Sequence, residues 1–194
     1  MVNYRLPAMY NIIAKMRSVW PVSDKTFEEL ERHLTFHVFP KKYKLIKAGE
    51  RCRDAYFVNS GITRSYWMVD GKEITTSFSE EGGIVFSMDE FYYNRTSEEY
   101  VESLEPIEAY SISIEVLNKL FAENIELSNW GRIIHQNEYR RLHRSHKERL
   151  TLSAKERYES FTQQFPVVCK RAPLKFIASY LGITPYTLSR LRKL

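Results

Sequence analysis

Cysteine is scarce in this chain of 194 residues: Cys52 and Cys169 stand far apart and make no metal-ligand or redox spacing. Two isolated thiols cannot ligate an iron–sulfur cluster, and they fit a reducing, intracellular compartment. A haem held by a single His or Cys would leave no motif. Long apolar runs are also missing. No stretch approaches the ~18–20 residues that span a bilayer. Lys15 and Arg17 interrupt the N-terminal segment before it could form a signal-peptide core. The expectation is a cytoplasmic protein with no membrane partner. Catalytic signatures are absent too. The strand-rich region holds only His37, no H-x-H occurs, and there is no Ser-His-Asp elbow, Walker loop or paired catalytic carboxylates. That argues against a metal-dependent barrel oxygenase or isomerase and against an enzyme in general. His143 and His146 have metal-compatible i, i+3 spacing, yet such a pair reads as solvated helix surface, and no metal is expected.

Acidic residues thin out toward the C-terminus. Residues 140–194 hold 13 Lys and Arg against 3 Asp and Glu, whereas residues 1–139 hold 16 against 21. A basic C-terminal part on an acidic N-terminal part is the electrostatic footprint of a nucleic-acid-binding module attached to something else. The hydrophobic fraction of 43% is enough for a packed core.

The most specific stretch is LKFIASYLGITPYTLSRLRKL, residues 174–194, which reads as a helix-turn-helix. Ile177, Ala178 and Leu181 share one face of a first helix, with small Ala178 where two helices approach closely. Gly182 sits where the turn needs positive φ, and Ile183 plugs that turn. Thr184 is an N-cap, and Pro185 takes the first helical position, where a missing N–H costs nothing. Leu188 and Leu191 continue the apolar face. The opposite face of the second helix carries Tyr186, Ser189, Arg190 and Lys193, the polar and basic groups that reach phosphates and base edges. The alternative is an ordinary helical hairpin.

Upstream, residues 6–18 and 25–34 read as helices, with Ser23 and Asp24 capping the second. Between about residues 36 and 114 the period shortens. FHVF, KLIKAGE, AYFVNSG, TRSYWMV and EITTSF are β-branched or aromatic and separated by turn signals, including the hairpin pair Asp70-Gly71. This predicts an α+β fold whose N-terminal part is an antiparallel β-roll or jelly roll. A short helix is expected over 113–121 and a long one over 125–149. The long helix has an apolar seam of Leu127, Trp130, Ile133, Ile134 and Leu142 with polar positions after it. That seam suits either a loosely zipped dimer or packing on the chain's own roll. Ser153-Ala-Lys-Glu156 is a capping box that starts another helix, which Pro166 ends. VVCKRAP then reads as a connector.

These parts together resemble the catabolite-activator/FNR family of transcription regulators. The resemblance rests on LIKAGE, YFVNSG, the Asp70-Gly71 hairpin, the long helix and LGITPYTLSR. It implies a cyclic-nucleotide-binding-like sensor domain (1–124), a connecting dimerisation helix (125–150) and a helix-turn-helix domain (151–194). It also implies a homodimer, double-stranded operator DNA as partner and a small-molecule effector. Thr184, Tyr186, Ser189 and Arg190, with Lys175 and Lys193, are the expected DNA-contacting residues.

The sequence departs from the family's pattern in two places. Family members that bind cyclic AMP hold it with a Gly-Glu pair and, about ten residues on, an Arg-Ser/Thr pair. The corresponding positions here read Phe86-Ser87 and Ser97-Glu98, so the arginine that neutralises the phosphate is missing. Arg95-Thr96 offers such a pair two residues earlier. Ser87, Arg95, Thr96 and Ser97 are the candidate effector residues, and the expectation is an orphan sensor that takes no cyclic nucleotide and no other evident cofactor. Secondly, the chain stops just after the recognition helix, so the family's wing is expected to be missing. Two alternatives stand beside this reading: a small-molecule sensor module with weak or partner-dependent DNA binding, and a barrel enzyme.

Overall fold

The computed structural model describes residues 9–193. The predicted segment 6–18 is a helix where it is described, α1 (Tyr10–Val19); its first three residues lie outside the described part, as does Leu194. Helix α2 (Asp24–Glu31) starts at Ser23, whose hydroxyl accepts from the Thr26 backbone N–H.

Eight strands follow: β1 (Thr35–Phe39), β2 (Lys44–Ile46), β3 (Asp54–Ser60), β4 (Thr63–Val69), β5 (Lys72–Ser79), β6 (Ile84–Val85), β7 (Tyr100–Ser103) and β8 (Ile107–Ser113). They form two antiparallel sheets, ordered β1-β8-β3-β6 and β2-β7-β4-β5. Asp70 and Gly71 both take positive φ (50° and 73°), which is what a two-residue hairpin between β4 and β5 demands. A short helix α3 (Met88–Tyr93) interrupts the second half of the roll. Leu45, Ile46, Val58, Val85, Val101 and Ile107 bury the space between the sheets.

The outer face of the first sheet is covered by α1, α2, α4 (Ile114–Glu123) and the start of α5 (Ile125–Thr151). Here the apolar seam of α5 finds its partner within the chain. Leu127 is 0% and Trp130 3% exposed, against Phe57 of β3 and Phe121 of α4. Farther along, α5 presents Tyr139, Leu142 and Leu150 to solvent.

After α5, Ser153 and Glu156 close the capping box at the start of α6 (Ala154–Gln164). The expected connector VVCKRAP is itself helical. Pro166 ends α6 and also opens α7 (Pro166–Arg171), since proline at N1 lacks only an N–H the helix does not use. Helices α8 (Leu174–Leu181) and α9 (Pro185–Leu191) follow. These C-terminal helices pack on the second sheet, so Ile62, Phe78 and Leu104 of the roll share one core with Phe161, Ile177, Leu181 and Leu188. Among the described residues, no helix is long and apolar enough to cross a membrane.

Candidate nucleic-acid interface and sensor pocket

The helix-turn-helix is built by local chemistry. Gly182 adopts φ 66°, a left-handed conformation that caps α8, and Ile183 donates its N–H back to Ala178 O at 3.0 Å. Thr184 Oγ1 accepts from the Thr187 N–H at 3.1 Å, and Pro185 opens α9. Ala178 is fully buried where α8 meets α9. Leu188 holds α9 from beneath, at 0% exposure. Thr184, Tyr186, Ser189, Arg190 and Lys193 are all exposed, as is Lys175 on α8. The structure therefore brings five of the six predicted contact residues onto α9 and its ends, and Lys175 onto the neighbouring helix.

Sequence reasoning missed how this unit is fixed. Arg64 on β4 is 1% exposed, yet charged. Its guanidinium donates to Glu102 on β7 at 2.7 Å, pairs with Glu73 on β5, and lies 3.5 Å from the ring centre of Phe176 on α8. Tyr66 flanks it on the same strand, and burial together with Glu102 and Glu73 pushes that phenol up to about 12. Nearby, Ser179 Oγ accepts from the Thr75 N–H at 2.9 Å and donates to Glu73 O at 3.2 Å. Arg171 of α7 pairs with Glu81 and Glu105 of the roll. Tyr180 is held from α5: Arg141 donates to its hydroxyl at 3.2 Å and Arg149 to its carbonyl at 2.8 Å. No local pattern signals these partners.

The candidate effector residues divide. Ser87 and Ser97 are buried, at 2% and 3% exposure. The Ser87 hydroxyl caps α3 by accepting from the Glu90 N–H, and Ser97 Oγ donates to Glu99 O at 2.9 Å. Arg95 and Thr96 lie exposed in the loop after α3. Buried Glu90 is clasped by Arg51, which also donates to Asn94. That hydrogen-bonded pair holds the Glu90 carboxyl below the usual carboxylate range. Close by, Glu99 accepts from the Thr76 hydroxyl. Burial, reinforced by Asp89 and Glu138, pushes its carboxyl up. Phe86, Phe91 and Tyr92 close on His135 of α5, with the Tyr92 hydroxyl 3.0 Å from the imidazole. Burial drives the His135 pKa below its ordinary value.

This geometry has counterparts among known proteins. Residues 36–124 match the cyclic nucleotide-binding domain family. FixK2 from Bradyrhizobium japonicum superposes with a TM-score of 0.71 at 18% identity, covering 82% of this chain and 83% of its own. CLP of Xanthomonas campestris, described as a c-di-GMP-responsive global regulator, gives 0.67 at 20% identity over 88% and 90%. The catabolite activator protein of Thermus thermophilus gives 0.56 at 16% identity over 89% and 83%. No curated protein sequence matches the chain. Residues 36–124 are thus similar to the cyclic nucleotide-binding domain family, and the whole chain shares the fold of these regulators.

Proposed function

We propose that the chain is a homodimeric, sequence-specific DNA-binding transcription regulator whose sensor pocket takes an effector other than cyclic AMP. The observation that carries this reading is the division of α9, with Leu188 fully buried and Tyr186, Ser189, Arg190 and Lys193 exposed. An apolar underside fixes the helix while its polar face is free to enter a major groove. Arg190 is the base-reading residue, with guanine its natural bidentate partner. Thr184 aims the N-terminus of α9 at a phosphate, and Lys175 and Lys193 add affinity that is independent of sequence. Tyr186 and Ser189 reach base edges or phosphates.

Dimerisation is assigned to the second half of α5. Leu142 and Leu150 are 50% and 72% exposed, and with His146 between them they recur at the four-residue spacing of a helix seam. The case against cyclic AMP rests on charge. Ser97 stands where the phosphate's arginine would be. Arg51 is already neutralised by Glu90, and the raised Glu99 carboxyl lies close by. A cyclic phosphate at Ser97 would meet a neutral hydroxyl beside these acids in place of the arginine's charge.

The test is fluorescence anisotropy on promoter fragments selected from genomic DNA, with and without cyclic AMP. Salt-sensitive, selective binding that ignores cyclic AMP is expected. Arg190→Ala is expected to weaken specific binding by about 1–3 kcal/mol without unfolding the chain. Equal affinity of Arg190→Ala and wild type refutes the assignment of Arg190. Selective binding that requires cyclic AMP refutes the sensor reading and makes Arg95 the phosphate ligand.

A further inference from the structure

The second half of α5 carries a charge imbalance that the fold leaves unused. It holds Arg140, Arg141, Arg144, Lys147 and Arg149 against two acids, Glu138 and Glu148. Both acids are engaged: Glu138 pairs with Arg141, and Glu148 accepts from the Ser160 hydroxyl at 2.7 Å. Arg141 and Arg149 turn to Tyr180. Arg140 and Arg144 are left exposed, one helical turn apart, with no acidic partner among the described residues. Like charges at this spacing repel one another on a helix.

These two arginines border an open groove of about 470 Å³ between α5 and Gln164 of α6. Asn137, Tyr139, Arg141 and His143 complete its lining, and no carboxylate contributes to it. The volume lies within the range of small-molecule sites, about 300–1,000 Å³. The chemistry is one-sided. Guanidinium groups only donate, in a planar fork that matches phosphate oxygens two at a time. The amides of Asn137 and Gln164 add further donors. The rings of Tyr139 and His143 stack at 29° with centres 6.3 Å apart, giving the groove a flat flank.

We propose that this groove binds a small phosphate-bearing ligand with at least two charged groups, bridging Arg140 and Arg144. The site is separate from the candidate effector residues around α3, none of which lines it, and does not depend on DNA binding. Its walls come from two elements, so an occupant ties the connecting helix α5 to the helical unit that begins at α6.

Isothermal titration of the full chain with sodium tripolyphosphate tests the proposal. Wild type is expected to bind at one site per chain. Arg140→Ala/Arg144→Ala is expected to weaken binding by at least about ten-fold. Because neither side chain has an ion-pair partner to lose, that variant is expected to keep the wild-type thermal midpoint. Arg190→Ala/Lys193→Ala, on the recognition helix, is expected to bind tripolyphosphate as wild type does. Absence of binding by wild type overturns the proposal, as does undiminished binding by the Arg140/Arg144 variant. A loss confined to the Arg190/Lys193 variant would place the anion on α9 and overturn it as well. Weakened DNA affinity with intact tripolyphosphate binding in the Arg140/Arg144 variant would assign this face to the DNA backbone instead.

Discussion

Arg64→Ala removes a charged group buried between the second sheet and α8, and the structure sets the size of the effect. Glu102 has only 12% of its side chain exposed, so deleting its partner strands a carboxylate away from water. Breaking a buried pair from one side costs about 3–5 kcal/mol. Glu73 is 44% exposed and regains water on losing Arg64, so it adds little. The stack on Phe176 contributes about 1 kcal/mol more. The net expectation is a loss of about 4 kcal/mol, read by urea unfolding followed with tryptophan fluorescence and far-ultraviolet circular dichroism. Two further variants separate the causes. Arg64→Ala/Glu102→Gln is expected to recover about 1–2 kcal/mol, because the stranded charge is gone. A cycle of Arg64→Ala, Phe176→Ala and the double variant is expected to give a coupling of about 1 kcal/mol. If the roll and the C-terminal helices unfold as one unit through this joint, Arg64→Ala also splits the single transition into two. A coupling below about 0.3 kcal/mol, with one unaltered transition, would refute the reasoning. Arg64 would then serve its own sheet only.

Other substitutions probe the roll and the helix-turn-helix. Burial, with Asp89 and Glu138 nearby, raises the folded-state pKa of Glu99 above its unfolded value. The stability it contributes is therefore complete below the ordinary carboxylate range and is lost as pH rises through the raised value. Glu99→Gln should accordingly raise the thermal midpoint near pH 7.5 and leave it unchanged at about pH 4; the reverse order would contradict the assignment. Gly61 has φ 97°, and a Cβ there would sit 2.5 Å from Ile107 Cγ2 and 2.9 Å from Pro106 O. Gly61→Ala is expected to cost about 2–4 kcal/mol in chemical denaturation, combining backbone strain with overpacking. Leu188→Ala empties a fully buried position beneath α9. A loss of about 2–5 kcal/mol is expected by the same assay, and a loss under about 0.5 kcal/mol would mean α9 is held by other contacts.

Features that depend on neighbours in the chain were legible in the sequence. The Gly182 turn, the Thr184 cap, the Asp70-Gly71 hairpin and the Ser153–Glu156 box each place their partners within a few residues, and each is present in the structure. VVCKRAP was misleading because β-branched valines and a proline suggest a break, whereas tertiary packing around Val168 makes the segment helical. The seam of Leu127 and Trp130 was ambiguous for a different reason. Helical spacing marks an apolar face but not what covers it, and here the cover is the chain's own roll. Arg64 and Arg51 were opaque. Their partners lie 38 and 39 residues away at Glu102 and Glu90, and an arginine in a strand or loop reads as solvated until those acids are seen. The candidate effector stretch was legible only in part. That Ser87 and Ser97 are buried and hydrogen-bonded to the backbone, while Arg95 and Thr96 are exposed, depends on how the loop folds back after α3.

Helix α5 runs unbroken for 27 residues, which at ~1.5 Å per residue is a rod about 40 Å long. One end is clamped by Trp130 and Leu127 inside the roll, and the other end touches Tyr180 through Arg141 and Arg149. A rod clamped at one end acts as a lever. A tilt of only about 5° at Trp130 would sweep the far end through about 3 Å, as wide as a hydrogen bond is long. Such a sweep would part the Arg149 contact with the Tyr180 carbonyl while scarcely disturbing the packing around Trp130. The aromatic cluster on His135 sits close to that clamp, where a small displacement is magnified most.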